Sequence, residues 1–169
     1  MYKTQPTLFG DAQQQPFANN TFDPISFLEV LEHLPSPHAA IKESYRVLKP
    51  GGKLILSMPF LYPIHDAPYD FQRLTIYGLR QLVSQYKFRI IKEEYSGNPL
   101  TSAMLLSNIA MVKTVLNALV KKHPSALLVL VLPLLVPILN VIGWLAAVFG
   151  PDDDFMPHGY TLHLTKDLS

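Results

Sequence analysis

Apolar residues along this chain cluster at two different spacings, and the switches between them mark out the elements. The stretch "FDPISFLEV" at 22–30 is almost continuously apolar and rich in β-formers, as expected of a strand buried on both faces. Pro24 must lie at its start, because it has no N–H to give to a central ladder. Helical spacing takes over at "SPHAAIKESYRVL", where Ala39, Ile41, Tyr45 and Leu48 recur about one turn apart. Ser36 is the expected N-cap and Pro37 the first helical residue. "KPGG" stops this helix, with Gly51 and Gly52 supplying a left-handed turn. "KLILSMPF" then reads as a second strand, "TIYGLRQLVSQY" as an amphipathic helix capped by Thr75, and "FRIIKEEYS" as a third strand. The last element, "HGYTLHLTK", alternates in the manner of an edge or antiparallel strand.

Strand and helix therefore alternate through most of the chain, which predicts an α/β parallel sheet with right-handed crossovers. Ligands of such sheets bind beyond the carboxyl ends of the strands. That rule directs attention to residues 29–33, to the loop 59–73 and to the turn around Asp11.

One long segment does not fit the alternation. Residues 98–155 are predominantly apolar, with Asn108, Lys113 and Asn117 in their first half, and 125–150 carry no charged residue at all. A run of about 20 apolar residues can span a bilayer. Lys121 and Lys122 precede the run, and Asp152, Asp153 and Asp154 follow it. A single crossing would strand "HGYTLHLTK" on the far side, away from the sheet. Pro133 and Pro137 are expected to break the run into two arms, each too short to cross. The expectation is a helical hairpin that dips into one leaflet or lies at the interface; a buried helical cap or a homo-oligomer interface would use the same residues.

Composition narrows the function further. The chain has 169 residues with 49% hydrophobic and 16% charged, more apolar than a soluble domain of this size. The formal net charge is +1, so no nucleic-acid-binding signature is present. No cysteine occurs, which excludes disulfides, thiolate zinc sites and a cysteine nucleophile. His33, His38 and His65 lack a metal-ligand spacing in the sequence, so no metal is expected.

The candidate chemistry sits in two places. Glu29 and His33, four residues apart where the first strand ends, pair a carboxylate with an imidazole and can exchange protons. Glu32 between them reads as an ordinary surface charge. In the loop "LYPIHDAPYDFQRL", His65 can take a proton near neutral pH. Arg73 can grip a carboxylate or phosphate with its fork, or else pair with Asp70 and pin the loop. Tyr62 and Tyr69 can flank an acceptor.

The motifs "GDAQQQPF", "FD" opening a strand, "EVLEHL" closing it and "RVLKPGG" before the next strand together resemble class I S-adenosylmethionine-dependent methyltransferases of the type 11 group. The resemblance covers residues 8–97 and extends to 157–166. It implies a Rossmann-like sheet in the order 3-2-1-4-5-7-6, of which this chain would hold a partial set, strands 3–7, with "TLFGD" ending strand 3. The GxGxG loop expected after the family's first strand has no counterpart in this sequence, as in an N-terminally truncated domain. On this template residues 1–97 form a partial methyltransferase domain, 98–156 an apolar helical insert, and 157–169 the final antiparallel strand. Asp11, with Ala12 and Gln13 beside it, would hold the cofactor's adenine; Glu29 and His33 would line the cofactor pocket. His65, Asp70 and Arg73 would face the acceptor as the catalytic group. The implied cofactor is S-adenosylmethionine and the implied acceptor small or lipid-linked; the apolar insert adds the expectation of a cytoplasmic, membrane-associated location. A non-catalytic, membrane-bound partner that keeps part of the fold is the alternative.

Overall fold

The computed structural model describes residues 8–151 and 153–168; Thr7 of the "TLFGD" motif and Asp152 of the acidic run lie outside them. The chain folds as two units. The first comprises 8–59, 64–94 and 160–168, and the second 60–63 and 95–159.

The first unit is built on strands β1 (Ile25–Leu28), β2 (Lys53–Pro59), β3 (Phe88–Ser96) and β4 (Gly159–Lys166), arranged in the order β1-β2-β4-β3. β1 and β2 run parallel, with Ile25 opposite Leu54 and Leu28 opposite Ser57. β4 runs the other way. Lys166 at its end accepts from the Gly51 N–H and donates to the Gly52 carbonyl, just before β2 begins. This order matches strands 4-5-7-6 of the expected sheet. No strand forms over Leu8–Gly10; Asp11 closes a tight turn on Gln14 instead.

Two expectations need correction here. β1 is not buried on both faces: of its residues only Phe27 is buried, and Leu28 is 58% exposed. It lies at the edge of the sheet among the described residues, so only one flank is covered. In "KPGG", only Gly51 adopts the left-handed conformation (φ 73°). Gly52 is needed for a different reason, since a Cβ there would meet the Lys49 carbonyl oxygen at 2.8 Å.

The helices begin where their caps predict. Helix α1 (Pro37–Val47) starts at Ser36, whose hydroxyl accepts from the Ala39 N–H, and α2 (Ile76–Ser84) starts at Thr75, which accepts from Gly78. Both pack one apolar face on the sheet unit's core. That core is made by Leu54, Leu56 and Met58 of β2, Ile41 and Val47 of α1, Leu79 and Val83 of α2, and Leu162 and Leu164 of β4. The end of α1 is closed from the far end of the chain. The buried ammonium of Lys166 donates to the carbonyls of Tyr45 and Leu48 and to Asn20 Oδ1, all within 2.9 Å. A cation at a helix C-terminus is favourable because the last carbonyls there lack helical partners.

The second unit holds α3 (Pro99–Val120) and α4 (Leu132–Phe149), joined through a 3₁₀ segment, Pro124–Leu130. An Asn98–Thr101 capping box starts α3. α3 and α4 are tied by Asn98 Nδ2 donating to the Ala146 carbonyl (2.8 Å) and by Asn108 Nδ2 donating to Asn140 Oδ1 (2.7 Å). Pro133 falls in the first turn of α4, where its missing N–H removes no helical bond. Pro137 does not break the helix, contrary to expectation: α4 runs through it for 18 residues. The position lies just past the first turn, so a single hydrogen bond is lost. Both helices are long and apolar enough to cross a membrane by length and composition. β4 follows them and lies inside the sheet, so a single crossing between β3 and β4 is excluded.

Candidate functional site

The site forms where β1 ends and the loop after β2 folds over it. Glu29, the first residue past β1, takes a left-handed backbone (φ 54°) that a non-glycine residue seldom adopts. Its N–H donates to Ser57 Oγ (3.0 Å), and the Ser57 hydroxyl donates back to Glu29 Oε1 (2.6 Å). A residue of β2 thereby fixes the chain as it leaves β1. A 3₁₀ turn, Leu31–His33, follows immediately.

Residues 64–74 strap this turn down. The Phe71 N–H donates to the Glu32 carbonyl (2.8 Å), and Gln72 Nε2 donates to the carbonyls of Leu31 and Leu34 at 3.0 and 3.1 Å. His33 Nδ1 lies 2.8 Å from the Tyr69 carbonyl oxygen. The strap is itself held by an ion pair: the Arg73 fork meets both carboxylate oxygens of Asp70, which is 3% exposed. The guanidinium holds the Asp70 carboxyl far below the usual carboxylate range, and the pair raises Arg73 above its own. Asp70 also accepts from the His65 N–H (2.9 Å) and lies 3.4 Å from its Nδ1. Asp70 and Arg73 thus orient His65, and the fork of Arg73 is committed to Asp70.

Strap and turn bring together groups that are remote in sequence. The His33 and His65 rings meet edge to face with centroids 4.9 Å apart. Between them lies Glu32. Its side chain is 0% exposed, not the surface charge expected of it. Its Oε1 is 3.7 Å from His33 Nε2 and 4.0 Å from His65 Nε2. Among the described residues, neither carboxylate oxygen has a hydrogen-bond partner. Burial pushes the Glu32 carboxyl up from its ordinary value, and the neighbouring Glu29 charge adds to this. The dipole of its own backbone N–H, and more weakly His33 and Arg73, act in the opposite direction. The carboxylate partner of His33 is therefore Glu32, one residue away, and not Glu29.

Asp11, Ala12 and Gln13 are held elsewhere. Asp11 Oδ1 accepts from the Gln13 N–H (2.8 Å) and Nε2 (3.2 Å), while Gln13 Oε1 accepts from the Ser36 N–H (2.9 Å). The loop beyond is clamped by Arg46, which donates to the carbonyls of Gln15 and Phe17 and pairs with Glu43. Tyr69 is exposed; Tyr62, also exposed, belongs to the second unit.

What this arrangement can do is move a proton. It offers two imidazoles and a buried carboxyl whose acidity is weakened, at the carboxyl ends of β1 and β2.

The family described as "Methyltransferase domain" matches residues 2–56. The ubiquinone/menaquinone biosynthesis C-methyltransferase UbiE of Ruegeria sp. (strain TM1040) is 35% identical over 82 residues, 48% of this chain and 28% of that protein. The mitochondrial 2-methoxy-6-polyprenyl-1,4-benzoquinol methylase of Bos taurus is 27% identical over 127 residues, 62% of this chain and 38% of its own length. Among solved structures, the [4+2]-cyclase SpnF superposes with a TM-score of 0.58 at 18% identity, over 95% of this chain and 55% of that one. The structural likeness shows the fold. The matched segments span well under half the length of these curated relatives.

Proposed function

We propose that this chain, which matches a methyltransferase domain over residues 2–56, works as a class I S-adenosylmethionine-dependent methyltransferase and serves methyl transfer to a lipid-linked acceptor at a membrane surface. The observation that carries this reading is the Glu32–His33–His65 cluster at the carboxyl ends of the parallel strands β1 and β2, where a ligand of such a sheet lies. Bound S-adenosylmethionine supplies an electrophilic methyl group. Asp11 and Glu29 are the residues that would hold its polar adenosyl end. Their carboxylates are exposed, and Glu29 is aimed by the Ser57 bond.

The chain's own part is to position the acceptor and take its proton. Asp70, fixed by Arg73, turns the His65 ring, and the Tyr69 carbonyl turns the His33 ring. Either imidazole can accept the proton that an acceptor oxygen, nitrogen or carbon loses on methylation. Glu32 stabilises the imidazolium that results. Most of the rate gain in such a displacement comes from positioning, which the strap of residues 64–74 supplies.

Two features support a lipid-linked acceptor. The relatives are named for quinone and polyprenyl-benzoquinol substrates. An apolar cleft in the second unit, lined by Met111, Val115, Leu128, Leu132 and Leu135, suits an isoprenoid or acyl chain. The apolar helices would hold the chain at the bilayer as a hairpin.

A second reading, a membrane-bound partner without catalysis, is favoured by the Asp11–Gln13 turn, whose polar groups are engaged with each other and with Ser36. Calorimetric titration of the full chain with S-adenosylmethionine decides between them. Micromolar binding supports the enzyme, and millimolar or absent binding favours the partner. Transfer of labelled methyl groups into a membrane lipid extract then tests the acceptor class.

A further inference from the structure

We propose that Glu32, His33 and His65 form a binding site for a divalent transition-metal cation of the Zn²⁺ class. The inference begins with Glu32. A fully buried carboxylate whose two oxygens meet no hydrogen-bond donor of another described residue is costly and calls for a compensating positive charge. The groups nearest its Oε1 are two imidazole nitrogens; the Arg73 guanidinium adds a favourable charge but makes its ion pair with Asp70. One ligand atom from each of the three residues lies within 4.8 Å of the other two.

The state of His33 sharpens this. The Tyr69 carbonyl can only accept, so the 2.8 Å contact places a hydrogen on His33 Nδ1. In the neutral ring, Nε2 then presents a lone pair toward Glu32, 3.7 Å from Oε1. A lone pair and a carboxylate oxygen facing each other with nothing between them repel, and a cation relieves the repulsion. Metal-binding histidines commonly donate the other ring N–H to a carbonyl or carboxylate. His33 has such a carbonyl; His65 Nδ1 sits between the Asp70 carboxylate (3.4 Å) and Arg73 Nη2 (3.3 Å), which fix its ring with Nε2 toward Glu32.

The donor set selects the metal. Two imidazoles and one carboxylate suit zinc and its first-row neighbours, whereas magnesium and calcium prefer oxygen throughout. Zinc bonds to nitrogen and oxygen of about 2.0–2.2 Å require the three donors to close in by only a fraction of their present separations. Three protein ligands leave a coordination position for water or an acceptor oxygen. The proposal stands apart from methyl transfer, because it concerns binding of the metal alone.

The rival arrangement is a proton in place of the metal, with a histidine charged against Glu32. The full-length chain, stripped with a chelator, is titrated with Zn²⁺ by calorimetry and with Co²⁺ by visible absorption. One equivalent bound at micromolar or tighter Kd, with the intense visible bands of four- or five-coordinate cobalt, is expected. Glu32→Gln and His65→Asn should each weaken binding by at least about tenfold. His123→Asn, on a histidine outside the cluster, should leave it unchanged. Circular dichroism reports folding, and His65→Asn, at a half-exposed side chain, decides the matter if the buried Glu32→Gln variant does not fold. Absent or millimolar binding, or binding equal in wild type and His65→Asn, overturns the proposal in favour of the proton.

Discussion

The sheet unit and the helical unit use the same kinds of side chain and treat them in opposite ways. Leu54, Leu56 and Met58 of β2 are fully buried, whereas α4, more apolar along its whole length, buries no residue. Trp144 is 60% exposed and Phe149 76%. In the first unit, strands and helices cover one another's apolar faces. In the second, two helices and a short 3₁₀ segment offer too few partners to cover residues that are apolar all round. Contiguous exposed apolar surface of this kind marks an interaction site. Apolar content thus says only that water is unwelcome, and the topology says what replaces it.

The sharpest way to test this contrast is to delete the same kind of group on each side. Leu56→Ala should cost the sheet unit about 2–5 kcal/mol, since it opens a cavity in a packed core. Val141→Ala, at a position 55% exposed, should stay within about 0.5 kcal/mol. Denaturant unfolding followed by circular dichroism measures both. Equal losses would mean that α4 is packed as tightly as β2 and that the contrast is false.

A charge reverses the roles. Val141→Asp should leave the sheet unit's unfolding midpoint unchanged but weaken membrane retention, with a penalty of about 2.5–3.5 kcal/mol if the residue sits in hydrocarbon. Flotation of the full chain with phospholipid vesicles reads this as roughly a hundredfold fall in partition. Unaltered flotation would place position 141 outside the bilayer.

These elements differed in how plainly the sequence announced them. α1, α2 and β3 were legible because Ser36 and Thr75 are strong caps and because a helical period gives way to a strand run at Phe88. β4 was legible as a strand, edge or antiparallel, from its alternation; it is antiparallel but lies between β2 and β3, not at an edge. The edge position of β1 was not, because a continuous apolar run looks the same whether one flank is covered or two. The effect of Pro137 depends on its distance from the helix start, which the apolar pattern leaves open. The site was half legible. His33, His65, Asp70 and Arg73 were singled out by type and by position at strand ends. Glu32 was missed, because its burial comes from the 64–74 strap, a contact that no local pattern encodes. The Asp70–Arg73 pairing was foreseen as one of two uses of that arginine.

Within the sheet unit, the strap can be tested by removing its pin. Arg73→Met leaves the nearly buried Asp70 carboxylate without its main partner. Breaking a buried pair one-sidedly costs about 3–5 kcal/mol; Arg73 is 19% exposed on its side chain, so about 2 kcal/mol is expected after allowance for solvent screening. Arg73→Lys should recover part of this, since a point charge replaces the fork. Limited proteolysis within residues 64–74 is the local readout, and an unchanged cleavage rate in Arg73→Met would show that the hydrogen bonds of Phe71 and Gln72 hold the strap without the ion pair.

The smallest effect concerns the other clamp of the sheet unit, on the loop after Asp11. Hydrogen bonding to Arg46 holds the Glu43 carboxyl below its ordinary value of 4.5, and the Gln15 N–H donated to Glu43 Oε2 adds to this. A carboxyl whose value is lowered on folding binds fewer protons in the native state. Its contribution to stability is therefore complete above the unfolded value, and it is lost as pH falls through the lowered, folded one. The pair is partly exposed, so global stability should change little across this window. The amide of Gln15 is the better probe. Its hydrogen-exchange protection, compared at matched intrinsic rates, should fall on acidification in the wild type. In Glu43→Gln the amide oxygen still accepts but no longer titrates, so protection should be lower at neutral pH and flat through the acid range. A wild-type profile as flat as the variant's would show that the loop is held by Arg46 and its carbonyl acceptors, with no part played by the Glu43 charge.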